Sequence, residues 1–170
     1  IYHWDIKPAN FWWRRTGESK VELILFDFDL VFLATNQQNF IERNLSALGT
    51  VLFISKQRRD QIVSGKLAAA PYCVQDEIYS LAASLLTLLV NEEFIIESLF
   101  ASKKSAKNTP AYLKQFDRLV DWVEKSFNWA RDKEPIPGFL KAAILRGLRA
   151  QYSTVNEFIE ELDLVARRER

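Results

Sequence analysis

His3-Trp4-Asp5-Ile6-Lys7-Pro8-Ala9-Asn10, followed by Leu25-Phe26-Asp27-Phe28-Asp29, is the part of the chain that decides how the rest is read. The first stretch sets a carboxylate, an ammonium and an amide close together, and the second returns with two more carboxylates. Between them, Phe11-Trp12-Trp13-Arg14 and Val21-Glu22-Leu23-Ile24-Leu25-Phe26 are aromatic and aliphatic runs. They flank the polar turn Arg15-Thr16-Gly17-Glu18-Ser19-Lys20, a pattern that predicts a short hairpin. A hairpin of that length brings Asp27 back to the neighbourhood of Asn10, so that both oxygen donors face one place.

Outward from this region, residues 30–60 have mixed periodicity and read as a long loop, with one helical turn around Phe40 to Leu45. From residue 75 the pattern is helical. Glu77 to Val90 is apolar on nearly every face, as in a helix surrounded by protein. Thr109-Pro110 reads as a cap followed by proline at the first helical position. Leu113, Phe116, Leu119, Val120, Val123 and Phe127 then form one stripe. Pro135-Ile136-Pro137-Gly138 ends that region, and Phe139, Ala142, Ala143 and Leu148 mark another helix. Thr154 and Glu157 form a capping box before Phe158, Ile159, Leu162 and Val165. The fold class expected is mainly α, with a small β-hairpin region set on a helical bundle.

The 170 residues suit one domain with a real core. A net charge of +1 argues against nucleic acid or an anionic membrane as the main partner. Cys73 is the sole cysteine, so no intrachain disulfide forms and zinc-ligand spacing is absent. A reducing, cytoplasmic setting is therefore the expectation. The longest apolar candidate, Ile78 to Val90, is too short to span a membrane and is interrupted by Ser80, Ser84 and Thr87. No methionine is present, even at position 1, and the chain reads as a piece of a longer polypeptide.

Phosphoryl transfer has clear chemical requirements. A carboxylate orients the acceptor hydroxyl and takes its proton. A cation offsets charge on the moving group, and oxygen ligands hold Mg²⁺ against the nucleotide phosphates. Asp5, Lys7 and the pair Asn10 plus Asp27 match those requirements in that order.

The first stretch resembles the protein-kinase catalytic loop, His-Arg-Asp-x-Lys-Pro-x-Asn, and Asp27-Phe28-Asp29 resembles the metal-binding Asp-Phe-Gly. Gly49-Thr50-Val51-Leu52-Phe53-Ile54-Ser55 is similar to the segment that closes the family's activation segment. Glu77-Ile78-Tyr79-Ser80-Leu81-Ala82 is similar to the start of its central F helix. Gln151-Tyr152-Ser153-Thr154, running into Glu157-Phe158, is similar to the lead into its last helix. The blocks stand in family order and cover essentially the whole chain. The resemblance implies a kinase-like C-terminal lobe over 1–170: catalytic loop, hairpin and metal-binding segment in 1–29, activation segment in 30–60, and helical subdomain in 75–170. The N-terminal lobe that cradles ATP is expected to lie outside it. The lysine two positions after the aspartate is the serine/threonine pattern. By the resemblance, Asp5 is the catalytic base, Lys7 contacts the γ-phosphate, Asn10 and Asp27 hold Mg²⁺, and Thr50 shapes the acceptor site. His3 and Phe28 stack in the column that couples the lobes. The cofactors implied are ATP and Mg²⁺. The partners implied are a protein substrate and a lobe or second chain covering the face near Phe28.

The chain departs from the family in several places. Trp4 replaces the arginine that receives an activation-loop phosphate, so phosphorylation at Thr35, Ser46 or a neighbour is not expected to switch it on. Asp29 replaces a glycine, which restricts the backbone and adds a carboxylate near the metal. Lys56-Gln57 and Gln151 stand where a buried glutamate–arginine pair is expected. Both charges are lost together, so a Gln57–Gln151 contact or simple exposure avoids a stranded buried charge. Glu77 replaces the F-helix aspartate that holds the catalytic-loop backbone, with Asp76 as the alternative. Taken alone, the chain is expected to be inactive. Two other functions compete: a pseudokinase scaffold, for which these replacements leave room, and an aminoglycoside- or choline-kinase-like phosphotransferase. Lys7 and Gly49-Thr50 argue against the latter. Trp12, Trp13, Trp122 and Trp129 read as core or lobe-packing residues, and Cys73 as inert.

Overall fold

Helix α2 begins where Cys73 caps the chain, and the Asp76 carboxylate accepts the Cys73 N–H at 3.0 Å. This satisfies a backbone donor that no helical carbonyl can reach and sets a negative charge at the positive end of the helix. The computed structural model describes residues 2–17, 20–28, 51–66, 72–100, 110–125 and 138–168. Their order is β1 (Phe11–Arg15), β2 (Val21–Leu25), α1 (Lys56–Val63), α2 (Val74–Leu89), α3 (Glu92–Phe100), α4 (Pro110–Gln115), α5 (Leu119–Lys125), α6 (Gly138–Leu148) and α7 (Val155–Arg168). The protein is mainly helical, with a two-stranded antiparallel sheet.

α2 is the axis of the bundle. Ile78, Tyr79, Ala82, Ala83 and Leu86 are buried around it. The serines that interrupt its apolar run are also buried, yet none is left unsatisfied. The single proton of Ser80 Oγ is shared between Phe53 O at 2.7 Å and Asp76 O at 2.9 Å, and Ser84 Oγ donates to Ser80 O at 2.8 Å. Bonding back to helical carbonyls lets a hydroxyl sit inside protein without an uncompensated desolvation cost.

α6 crosses α2 at a contact of small residues. A Cβ built on Gly147 would lie 2.6 Å from the Ala82 Cβ, which is closer than real Cβ atoms come. Ala143, Ile144, Leu145 and Leu148 fill the remainder of that interface. α7 closes the bundle through Phe158, which is buried, and is capped as expected. Thr154 Oγ1 accepts the Glu157 N–H at 3.2 Å, while Glu157 reaches back to the Ser153 N–H at 2.8 Å. Burial and the Glu161 carboxylate push the Tyr152 hydroxyl far above the ordinary tyrosine range, so it remains a donor to Glu161 at 2.9 Å.

The hairpin pairs Phe11 with Leu25, Trp12 with Ile24, Trp13 with Leu23, Arg14 with Glu22 and Arg15 with Val21. Its strands match the sequence reading. Trp12 and Trp13 are 57% and 64% exposed, which removes the core alternative for them and leaves that of lobe packing. Trp122 does meet the expectation, packing partly buried against Phe94 with ring centroids 6.1 Å apart.

Residues 51–60 also depart from the loop expected there. Val51–Phe53 form a 3-10 turn and Lys56–Val63 form α1, capped by Ser55 Oγ on the Arg58 N–H at 3.2 Å. This helix carries no apolar stripe because its buried residues are Arg58 and Arg59. The helical turn expected around Phe40 to Leu45, together with Thr109, Phe127, Trp129 and Pro135 to Pro137, lies outside the described residues.

Gly147→Ala should lower stability by about 1–3 kcal/mol, since overpacking at the crossing outweighs the roughly 1 kcal/mol gained in helix propensity. Urea unfolding monitored by far-ultraviolet circular dichroism would measure it, and an unchanged or raised midpoint would contradict the close approach of α6 to α2.

Candidate active site

The loop from His3 to Asn10 is fastened to α2 by one carboxylate. Glu77 Oε1 accepts both the His3 N–H and the Trp4 N–H, each at 3.0 Å. Burial pushes the Glu77 carboxyl above its ordinary value, and the Trp4 and His3 N–H bonds oppose that rise. Glu77 itself therefore makes the contact for which Asp76 was the alternative. Asp76 instead serves α1, taking Ser55 Oγ at 2.5 Å and Arg58 Nη2 at 3.0 Å.

Beyond Trp4 the loop closes on Asp5, which is 8% exposed. Lys7 Nζ donates to Asp5 Oδ2 at 2.6 Å. Asn10 Nδ2 donates to Asp5 Oδ2 at 3.0 Å and to Asp5 O at 2.8 Å. Both Asn10 partners are acceptors, so the amide nitrogen must face Asp5 and Oδ1 is the end left for another group. The 3-10 turn Pro8–Asn10, closed by Asn10 N–H to Lys7 O at 2.9 Å, holds that amide in place. Proline at its first position costs no hydrogen bond.

The hairpin then delivers the second segment. The Phe26 N–H donates to Asn10 O at 2.9 Å, continuing the strand ladder by one rung. The His3 ring bonds Phe26 O at 3.1 Å through Nε2. That carbonyl can only accept, so Nε2 carries the proton. The His3 and Phe28 rings are in contact as expected, with centroids 5.3 Å apart, but they meet edge to face rather than stacked. Asp27 thus lies between two residues that both touch the catalytic-loop candidate. It is exposed and has φ 63°, a left-handed conformation that aspartate tolerates better than most residues.

The structure therefore brings Asp5, Lys7 and Asn10 into one hydrogen-bonded group and sets the Asp27 backbone next to it. Thr50, Gly49, Asp29, Thr35 and Ser46 lie outside the described residues. Gln57 and Gln151 are both exposed, which is the simpler of the two outcomes expected for the lost ion pair. Among the described residues no group of three or more His, Cys, Asp or Glu side chains forms a metal cluster. The donors that suit Mg²⁺ are the Asn10 amide oxygen and the Asp27 carboxylate, both hard oxygens; Mg²⁺ takes few protein ligands and completes its shell with water and phosphate. Cys73 is a half-buried thiol raised by burial and by Asp76, which fits an inert residue.

Sequence reading missed the buried cations of α1. Arg59 donates to Ile54 O, to the Tyr79 hydroxyl at 3.2 Å and to Asp117 at 3.1 Å. Burial alone would lower its pKa, but Tyr79 and Asp117 raise it on balance. A cleft of about 770 Å³ opens beside it, between α1, α2 and the turn at Phe116 and Asp117. None of Asp5, Lys7, Asn10 or Asp27 lines that cleft. Among the described residues no single helix is long and apolar enough to cross a membrane.

Comparison of the chain with models of known protein families, with curated proteins and with solved structures gives no match.

Glu77→Ala should cost about 2–4 kcal/mol in urea unfolding, because two buried N–H groups lose a charged acceptor. Glu77→Gln keeps an acceptor oxygen and should cost much less. The raised carboxyl also sets a sign. The folded chain keeps a proton that the unfolded chain has released, so the stability linked to Glu77 falls as pH rises from the ordinary glutamate range through the raised value. Glu77→Gln should flatten that part of the pH–stability curve; an unchanged slope would show that another group sets it.

Proposed function

We propose that this chain is the C-terminal lobe of a serine/threonine protein kinase-like phosphotransferase, which passes the ATP γ-phosphate to a protein hydroxyl when an ATP-cradling N-terminal lobe completes it. The observation that carries the reading is the Asp5 carboxylate, held by Lys7 at 2.6 Å and Asn10 at 3.0 Å on a loop one ladder rung from the segment bearing Asp27. In this reading ATP would supply the phosphoryl group, and Asn10 and Asp27 would hold a Mg²⁺ ion that would offset the charge of its phosphates.

The residues of the chain do the remainder. Asp5 accepts the proton of the incoming hydroxyl and orients it. Asn10, by binding both the carboxylate and the backbone carbonyl of Asp5, fixes the carboxylate plane. Lys7, whose side chain is 21% exposed, pairs with Asp5 and is the cation closest to where charge moves during transfer. His3 ties the metal-binding segment to the loop through Phe26 and Phe28.

The exposed apolar surface supports a covering lobe or partner. Phe28 and Phe26 are 59% and 42% exposed. A groove of about 390 Å³ between the hairpin, α2 and α7 is lined by Phe11, Trp13, Leu23, Leu85 and Leu88 among others. Uncovered aromatic and aliphatic area of this kind marks an interaction surface. A protein substrate and a cytoplasmic setting belong to the same proposal.

One observation favours a second reading, the pseudokinase scaffold. The Asp5 carboxylate already takes donors from Lys7 and Asn10, a pairing that serves a structural loop as well as a catalytic one. The two readings separate on chemistry. For the chain joined to an ATP-cradling lobe, Mg²⁺-dependent γ-phosphate transfer to a protein hydroxyl is expected, and Asp5→Asn should lower kcat by about 10²–10⁴-fold. The 170 residues alone should show none. Absence of transfer by the completed protein, or transfer indifferent to Asp5→Asn, would favour the scaffold.

A further inference from the structure

Trp4 precedes Asp5 and holds an unusual conformation. Its φ is 69°, in the left-handed region that bulky side chains avoid unless their surroundings impose it. Glu77 holds its N–H at 3.0 Å, and a second clamp holds its ring. The indole stacks on Tyr72 with centroids 4.7 Å apart and planes 14° from parallel. Tyr2 meets the edge of Tyr72 at 5.4 Å. The guanidinium of Arg58 lies 5.4 Å from the Trp4 ring centroid and 5.1 Å from that of Tyr72.

Arg58 is 2% exposed, so its charge must be compensated locally. Asp76 does so at 3.0 Å, and Asp76 is in turn fixed by Ser55 Oγ at 2.5 Å and by the Cys73 N–H at 3.0 Å. The cation therefore joins α1, the first turn of α2, Tyr72 and the residue before Asp5. A planar guanidinium offers flat, weakly hydrated faces to aromatic rings, which an ammonium does not.

We infer, on the reading of Asp5 as the reacting carboxylate, that Arg58 is a positioning residue for Asp5: a cation built into α1 that fixes the Trp4 ring, and through it the Asp5 backbone, with no phosphate needed to complete the clamp. Trp4 itself carries no charge, and the cation beside its ring comes from α1, already paired with Asp76.

The test is amide hydrogen exchange, followed by NMR on the chain without nucleotide. Arg58→Lys keeps the charge and the possibility of pairing with Asp76 but replaces the planar guanidinium beside the two rings with an ammonium. The His3 and Trp4 amides, both bonded to Glu77, should then exchange about tenfold faster or more, while the Ile144 and Leu145 amides of α6 should change less than about twofold. Tyr72→Leu keeps the Arg58–Asp76 pair and removes one ring; it should loosen the same two amides and decides the matter if Arg58→Lys fails to fold. Acceleration spread evenly over all protected amides, or unchanged exchange at His3 and Trp4 in a folded variant, would overturn the inference. So would a marked slowing of those amides in the unaltered chain on adding inorganic phosphate. Exchange does not require turnover, so failure of Asp5 as a catalytic base would leave this outcome readable.

Discussion

The candidate site depends on a single half-buried carboxylate. Glu77 projects from the first turns of α2 and takes two consecutive backbone N–H groups, those of His3 and Trp4. Neither N–H has a strand or helix partner, because the chain here is neither. Without that acceptor the loop would expose its backbone donors to protein rather than to water, and the adjacent Asp5 would have no fixed direction. The cost of holding a carboxylate in this environment appears as the upward displacement of its pKa by burial. The axial helix is therefore more than a hydrophobic core. Its apolar faces organise α6 and α7, and its first turns organise the polar loop.

Much of this was legible in the sequence because it obeys simple periods. The hairpin was marked by alternating apolar runs around a polar turn, and its strands fall at Phe11–Arg15 and Val21–Leu25. The last helix was marked by Thr154 and Glu157: Thr154 makes the bond that their spacing implies, while Glu157 takes the N–H of Ser153, one residue before the cap. The grouping of Asp5, Lys7 and Asn10 was legible because all three lie within one short loop, where local geometry leaves few alternatives. The return of Asp27 followed from the hairpin register. What escaped was α1, since its inward side is built from Arg58 and Arg59 and its sequence looks wholly polar. No periodicity rule finds a helix that buries guanidinium groups. Their acceptance depends on Asp76, Asp117, Trp4, Tyr72 and Tyr79, residues distant in the sequence. Trp12 and Trp13 were legible only as core or lobe-packing residues; their exposure removes the first, a distinction that composition alone does not make.

The two arginines also show how charge has been redistributed. Gln57 and Gln151 leave no ion pair at the place where one was expected. Buried charge appears instead one and two residues later, as Arg58 with Asp76 and Arg59 with Asp117. Each cation lies against aromatic rings and reaches a carboxylate at about 3 Å, so desolvation is offset on two fronts. Arg59 links α1 to the 3-10 turn at Phe116–Arg118, while Arg58 links α1 to the loop of Asp5. Neighbouring residues on one short helix thus brace opposite directions.

The left-handed backbone at Asp27 has a further consequence for the paths open to mutation at this position. Under the proposed function two demands meet in one residue: tolerance of φ 63° and possession of an anionic oxygen. Asparagine and glycine inherit the first without the second, whereas glutamate inherits the second with a poorer claim on the first. A change that abandons the charge keeps the fold but gives up the proposed metal ligand, and one that keeps the charge strains the turn.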